Sequence, residues 1–149
     1  MKTNMSRSAF TLIEVLIVVV IMAILAATII PQFTDSTKDS KLSTVKFNLA
    51  TLRSQVQLYR THHNGVNPSA TLAELTTTTD VSGTVGTGAA FVYGPYLRDL
   101  PYNPFNNKKT VTAITQDPPT AAQGTGAGGW LYNATTGNVW IDDTTYYTY

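Results

Sequence analysis

The sequence predicts an α+β protein in which one long N-terminal helix packs on a small antiparallel β-sheet. Residues 10–30 are apolar almost throughout, and apolar residues recur in steps of three and four over residues 42–59. The second pattern is typical of one face of an amphipathic helix. Residues 130–141 are arranged as strand, turn and strand, which predicts a β-hairpin. We therefore expect a membrane-spanning first half of the helix, an amphipathic second half and a globular region, at residues 10–33, 34–64 and 65–149.

The composition restricts the class of protein. A chain of 149 residues has room for one small domain and an appendage. Charged residues make up 13% of the chain and the formal net charge is +1, so we predict no nucleic-acid partner. The chain has no cysteine, which excludes disulfides, thiolate metal sites and a cysteine nucleophile.

The apolar run at residues 10–30 is long enough to cross a bilayer. As a helix it measures about 31 Å at ~1.5 Å per residue, close to the thickness of the hydrocarbon core. Lys2 and Arg7 precede the run, and the next basic residue is Lys38. The positive-inside rule therefore predicts a single pass with the N-terminus in the cytoplasm.

Glu14 separates three interpretations of this run: a cleaved secretory signal, a plain membrane anchor, and a leader that is removed before the run. A signal would be cut near residues 23–27, where alanines are frequent. A carboxylate within a membrane span costs roughly 2.5–3.5 kcal/mol at the centre and less near the end, and neither a signal nor an anchor gains from it. A cut between Ala9 and Phe10 creates an α-amino group at i to i+4 spacing from Glu14. That amine, or the same amine of a packed copy, pairs the buried carboxylate.

A resemblance to a known family rests on residues 8–15, Ser-Ala-Phe-Thr-Leu-Ile-Glu-Val, followed by the apolar run and Pro31. These features are similar to the leader and N-terminal helix of type IV pilins and type II secretion pseudopilins. The resemblance implies that a membrane prepilin peptidase cuts between Ala9 and Phe10, so that residues 1–9 are the leader. The family usually has glycine before the cut, where this chain has Ala9.

The same resemblance implies the role of each residue at the new N-terminus. Phe10 would be N-methylated, Phe10 and Glu14 would act in assembly, and Pro31 would kink the helix. The implied partners are further copies of the chain, other pilin-like subunits, the peptidase, and an inner-membrane assembly platform with its ATPase. The chain would cross the inner membrane once, with its C-terminal region in the periplasm or in an extracellular filament.

Pro31 also has an effect that follows from its chemistry. A proline within a helix removes one backbone hydrogen bond and clashes with the preceding turn, at a cost of roughly 3 kcal/mol. We therefore expect the helix to kink or break near residues 28–31. Alternatively, Pro31 ends the membrane helix at the interface.

The second half of the helix has a predicted end as well as a predicted face. Asn64 and Gly65 supply a C-terminal stop, and His62 and His63 lie where the helix dipole favours positive charge. Adjacent helical side chains point about 100° apart, so the two histidines do not suit one metal ion. We expect them to cap the helix and face solvent.

The C-terminal region is predicted as short elements joined by loops. Residues 71–74 have the form of a capping box that opens one helical turn, and residues 76–90 are read as an exposed loop. Prolines alternate with large side chains at residues 93–105, which favours aromatics laid over a core edge rather than a central strand. Residues 110–115 have strand composition, and residues 116–129 are predicted as a loop.

Two C-terminal segments extend the resemblance. Residues 96–105 and 129–137 are similar to segments of major type II secretion pseudopilins, and that resemblance implies calcium bound in a C-terminal loop. Calcium takes six to eight oxygen ligands. Asp142 and Asp143 are the candidate ligands, with Asp117 as a distant third, and solvation at the end of the hairpin is the alternative role.

An enzyme is not indicated by the motifs. The sequence contains no phosphate-binding glycine loop after a strand and no nucleophile elbow, and its two histidines are adjacent. The resemblance implies a type II secretion pseudopilin, and we expect no cofactor, calcium aside. The alternatives are a type IV pilus subunit for adhesion, motility or DNA uptake, and a membrane-tethered or secreted ligand-binding module.

Overall fold

The computed structural model describes residues 10–149. The predicted leader, residues 1–9 with Ala9, lies outside the described part. Within it, one long helix is followed by a short 3₁₀ helix and three strands. The elements are α1 Leu12–His62, the 3₁₀ helix Ala73–Thr76, β1 Val111–Ala113, β2 Trp130–Asn133 and β3 Asn138–Ile141. The prediction of a long N-terminal helix packed on a small sheet, with the α+β class of a type IV pilin-like fold, is confirmed.

The chain forms two compact units, and the boundary between them falls within α1, after Ser40. In the first unit the large apolar side chains of residues 10–30 are all at least 46% exposed. α1 is long and apolar enough to cross a membrane, and its most apolar stretch is not buried against other parts of the described chain. An unburied helix of this composition needs a partner other than water, either lipid or protein.

Residue 31 lies inside α1, so the expectation that Pro31 breaks or ends the helix is wrong. The hydroxyl of Thr28 donates to the carbonyl of Leu25 at 2.9 Å, and that of Thr34 donates to the carbonyl of Ile30 at 3.3 Å. Both hydroxyls bond back to a carbonyl of the preceding turn, as threonine hydroxyls do within helices. The kink at Pro31 stays a prediction.

The second unit, Lys41–Tyr149, contains the buried core. Every residue predicted for the apolar face of α1 packs in the core or against it. Leu42, at the start of that face, is half-buried. Side chains of alternate residues in β2 and β3 pack against this face, as the period of two in a strand requires. The buried core residues are Val45, Leu49, Leu52, Val56, Tyr59, Leu72, Leu75, Trp130, Tyr132, Val139 and Ile141.

The sheet is mixed, which corrects the prediction that all its strands are antiparallel. The hairpin is as predicted, with Trp130 opposite Ile141 and Asn133 opposite Asn138. β1 instead pairs parallel to β2, with Val111 opposite Trp130. Residues 114–129 connect these two strands, and a connection of a dozen or more residues is long enough to bring the chain back to the same end of the sheet.

Three loop predictions have different outcomes. Aromatic and leucine side chains of residues 96–105 cover the core edge as predicted. Residues 76–90 are not exposed throughout, because Thr79 is fully buried and bridges both Val85 and Tyr93. The predicted capping box at residues 71–74 is wrong, since Leu72, in a left-handed backbone conformation (φ 57°), precedes the 3₁₀ helix and the Glu74 carboxylate accepts from Ser69.

Candidate functional site

The first turn of α1 holds Glu14 by a reciprocal pair of hydrogen bonds with Thr11. The carboxylate oxygen Oε2 of Glu14 accepts the backbone N–H of Thr11 at 2.9 Å and its hydroxyl at 2.8 Å. In return, the Oγ1 of Thr11 accepts the backbone N–H of Glu14 at 3.3 Å. This is a capping box, in which a threonine before the helix and a glutamate three residues later each satisfy an unpaired N–H.

Thr11 is a partner of Glu14 that was not predicted. The predicted partner is the α-amino group of Phe10, whereas the Thr-x-x-Glu spacing of residues 11–14 signals a second one. The negative charge of Glu14 also lies at the helix N-terminus, where the backbone dipole stabilises it. Within one subunit the carboxylate is therefore hydrogen-bonded before any other chain approaches.

Phe10 lies just before the capping box and is 84% exposed. Together Phe10, Thr11 and Glu14 form a short polar and aromatic tip on an apolar helix whose sides are also exposed. This tip therefore has one carboxylate and one aromatic ring that a partner can contact, at the end of an apolar helix. The roles of Phe10 and Glu14 in assembly and the methylation of Phe10 stay predictions.

The predicted calcium ligand Asp142 is fully buried. Its Oδ1 accepts the backbone N–H of Gly126 at 2.7 Å, and its Oδ2 accepts that of Gly128 at 2.6 Å. The alternative role that the sequence suggested for it, solvation at the hairpin end, is therefore wrong. Asp142 instead closes the loop before β2, because both of its oxygens bind that loop.

The other two predicted ligands have separate partners. The Oδ1 of Asp143 accepts the backbone N–H groups of Thr145 and Tyr146 at 2.8 and 3.1 Å. Asp117 bonds the side chains of Thr136 and Asn138 at the start of β3. Asp142 follows the other end of that strand, so the structure does not bring Asp117 to it.

Loop carbonyls next to Asp142 are also engaged. The ammonium of Lys108 donates to the carbonyls of Gly126 and Ala127, and the side-chain amide of Asn106 donates to that of Gly128. In residues 10–149 no group of three histidine, aspartate or glutamate side chains is placed to hold a metal ion. The Asp142 oxygens and these carbonyls accept hydrogen bonds from the chain, so a calcium ion would have to displace those donors. Calcium binding by Asp142 and Asp143 stays a prediction.

The two histidines at the end of α1 differ from each other. His62 is half-buried, and its Nδ1 lies 3.0 Å from the hydroxyl of Tyr96. His63 is 2% exposed, with Nδ1 2.7 Å from the carbonyl of Tyr59 and Nε2 3.0 Å from the hydroxyl of Thr79. The expectation that both face solvent is wrong for His63. Aromatic rings of the 93–96 segment cover this end of the helix, which no local pattern predicts.

Comparisons with known proteins point to the same N-terminal segment. No curated protein and no solved structure matches the chain. Residues 4–30 match the family model of the prokaryotic N-terminal methylation motif. That match contains Ala9, Phe10, Thr11 and Glu14, and it ends one residue before Pro31. Pilin-like proteins with this motif are structural subunits rather than enzymes. The chain therefore carries the N-terminal methylation motif of type IV pilin-like prepilins, and the described part of the matched segment leads into a helix that is long and apolar enough to cross a membrane.

Proposed function

We propose that this chain is a structural subunit of a pilin-like filament, and that the filament is the periplasmic pseudopilus of a type II secretion system. The observation that carries the proposal is Glu14, a carboxylate within an exposed apolar helix and inside a methylation motif. A charge in that position is costly unless it is paired. A filament supplies both a pairing partner and a cover for the apolar sides of the helix.

The assembly step uses two features of the helix tip. Removal of residues 1–9 creates an α-amino group on Phe10, and that cation pairs with the Glu14 carboxylate of a neighbouring copy. The pairing fixes the axial register between neighbouring helices, while apolar side chains supply the adhesion. In exchange, Glu14 gives up part of its capping box with Thr11.

Before assembly, the subunit lies in the inner membrane, with its N-terminus in the cytoplasm and its globular region in the periplasm. This orientation follows from Lys2 and Arg7, which precede the apolar run. A prepilin peptidase processes it there, and an assembly platform driven by an ATPase lifts the helix into the growing fibre. In the fibre, helices of neighbouring copies replace lipid around each apolar helix.

Type II secretion is preferred over a type IV pilus because of two sequence features. Residues 96–105 and 129–137 are similar to segments of major pseudopilins, and the chain has no cysteine with which to close a C-terminal disulfide loop. Deletion of the gene should stop the release of exported proteins. Loss of long surface fibres with export intact would instead identify a type IV pilus subunit.

The filament proposal is tested first on the mature N-terminus. Mass spectrometry of the protein from cells should find a chain that starts at Phe10 with a methylated amine. A chain that starts after Ala27 would identify a secreted module, and a chain that retains residues 1–9 would contradict processing.

The second test replaces Glu14 with alanine and keeps the same cells and expression level. The Glu14→Ala protein should be processed and membrane-bound but absent from sheared or cross-linked filaments. Glu74→Ala is the matched control, because Glu74 is a carboxylate that accepts hydrogen bonds from nearby Ser69 in the globular unit. Normal filaments from Glu14→Ala would overturn the proposal.

A further inference from the structure

The loop before β2 is closed by two opposite charges on the two sides of one peptide unit. The carbonyl of Ala127 accepts the Lys108 ammonium at 3.0 Å. The N–H of Gly128, in the same peptide unit, donates to Oδ2 of Asp142 at 2.6 Å. The carbonyl and N–H of a trans peptide point in opposite directions, so the peptide dipole lies between the positive and the negative charge.

Neighbouring groups add further hydrogen bonds between this loop and the side chains around it. The Lys108 ammonium also donates to the carbonyl of Gly126 at 3.0 Å, and the other oxygen of Asp142 accepts the N–H of Gly126. The side-chain amide of Asn106 donates to the carbonyls of Gly128 and Asp142 at 2.7 and 3.2 Å. Hydrogen bonds to charged groups are shorter and stronger than neutral ones. The carbonyls of residues 126–128 therefore all accept hydrogen bonds from side chains of the same chain.

The backbone of Lys108 is held so that its side chain reaches this loop. Its carbonyl accepts the N–H of Asn103 at 2.8 Å, and its N–H donates to the side chain of Asn106 at 3.0 Å. Gly129 packs directly against it, because a Cβ on Gly129 would lie 2.2 Å from the carbonyl oxygen of Lys108. The loop can close on Lys108 only with glycine at that position.

We infer that Lys108 and Asp142 form an ion pair bridged by the Ala127–Gly128 peptide unit, and that the Lys108 ammonium is the resident cation of this loop. The carbonyl oxygens of residues 126–128 are a cation-binding cradle that the chain fills with its own side chain. The loop before β2 is therefore closed without a metal ion. This inference is independent of the filament function.

The test compares Lys108→Met with Lys109→Met in the full chain in detergent micelles. Both variants lose one positive charge, and methionine keeps an apolar stem of similar length. Lys109 is the control because it is the next residue in the chain and its ammonium pairs with the side chain of Asp99, not with the carbonyls of the loop before β2. Hydrogen exchange of the Gly126 and Gly128 amides is measured in each protein, with excess calcium chloride and with EDTA.

Lys108→Met should speed exchange of the two amides by about tenfold, which corresponds to about 1.4 kcal/mol. Lys109→Met should leave both rates within about twofold of the parent protein. The parent protein should give the same rates in calcium and in EDTA. Equal rates in the two variants would overturn the inference, as would about tenfold more protection of the parent protein in calcium.

Discussion

The rings of Tyr59 and His63 stack with their centroids 3.8 Å apart and an angle of 14° between their planes. The carbonyl of Tyr59 can only accept, so the Nδ1 of His63 donates to it, while the Nε2 forms a hydrogen bond with the hydroxyl of Thr79. One imidazole therefore satisfies the end of α1 and a buried threonine of the next loop. His63 therefore links the end of α1 to the loop that contains Thr79.

We predict that His63→Phe destabilises the globular unit by about 2–3 kcal/mol, because the carbonyl of Tyr59 and the buried hydroxyl of Thr79 each lose the hydrogen bond that they make with His63. Phenylalanine keeps the ring that stacks on Tyr59, so the loss reports the hydrogen bonds rather than the packing. Thermal or urea unfolding followed by tryptophan fluorescence measures the change.

His62→Phe is the control for this substitution, since His62 is half-buried and bonds a hydroxyl near the surface. Its effect should stay below about 1 kcal/mol. Equal losses in the two variants would contradict the role assigned to His63.

We expect Asp142→Asn to lower the free energy of unfolding by about 2–3 kcal/mol. Each oxygen of Asp142 accepts a backbone N–H, and an asparagine has one oxygen and one amide group. The amide group would face the N–H of Gly126 or Gly128 and leave it without an acceptor. Chemical unfolding of the full chain in detergent measures the loss.

Asp143→Asn provides the comparison. One oxygen of Asp143 accepts both of its N–H donors, so asparagine can replace it at a cost below about 0.5 kcal/mol. If Asp142→Asn were as mild as Asp143→Asn, the loop would not depend on the second oxygen.

Arg53 ties the C-terminal residues to α1, and Arg53→Lys should release them. The Nε of Arg53 donates to the carbonyl of Val139 and its Nη2 to that of Tyr149, both at 2.9 Å. Lysine has one nitrogen and cannot span both acceptors. We expect a loss of about 1–2 kcal/mol and faster proteolysis within residues 143–149.

Arg60→Lys is the control, because Arg60 makes an exposed bond to the carbonyl of Gly65. Its proteolysis pattern should match that of the parent protein. Unchanged cleavage of residues 143–149 in Arg53→Lys would show that other contacts hold the tail.

Alkaline pH should destabilise the fold through Tyr132. Burial raises the pKa of this phenol, and the charge of Glu74 adds to the effect. An unfolded tyrosine titrates near pH 10. The stabilising contribution is therefore complete below about pH 10 and is lost as the pH rises towards the higher pKa of the folded state.

Unfolding measured from pH 8 to 11.5 should show this decline, and Tyr132→Phe should reduce its slope. The variant should also lose about 1 kcal/mol at neutral pH, since the hydroxyl of Tyr132 donates to the carbonyl of Pro68. The exposed Tyr102 gives the control variant Tyr102→Phe. Identical slopes in all three proteins would rule out Tyr132 as the titrating group.

The sequence predicts the elements whose signal is local. The buried face of α1 follows from three-four periodicity, its end from Asn64 and Gly65, and the hairpin from two short apolar runs around a turn. A carboxylate in an apolar span has a known free-energy cost, which marks Glu14 as a candidate functional residue. The capping box of Thr11 and Glu14 was also predictable, since its two residues lie within four positions of sequence.

Features set by distant contacts were not predictable. No local signal gives the direction of β1, which depends on how residues 114–129 return. The burial of His63 depends on Tyr93 and Tyr96, about thirty residues away, which pack over it. Glu74 has the spacing of a capping box with Thr71 but bonds Ser69 instead, because Leu72 adopts a left-handed conformation.

The parallel pairing of β1 with β2 has a consequence for the order of folding. The hairpin of β2 and β3 closes over a few residues, whereas β1 can join only after a much longer segment has been ordered. The nascent sheet therefore presents the unpaired side of β2 until β1 arrives. An unpaired strand edge can accept a strand of another chain, so that interval is when strands of two molecules can exchange.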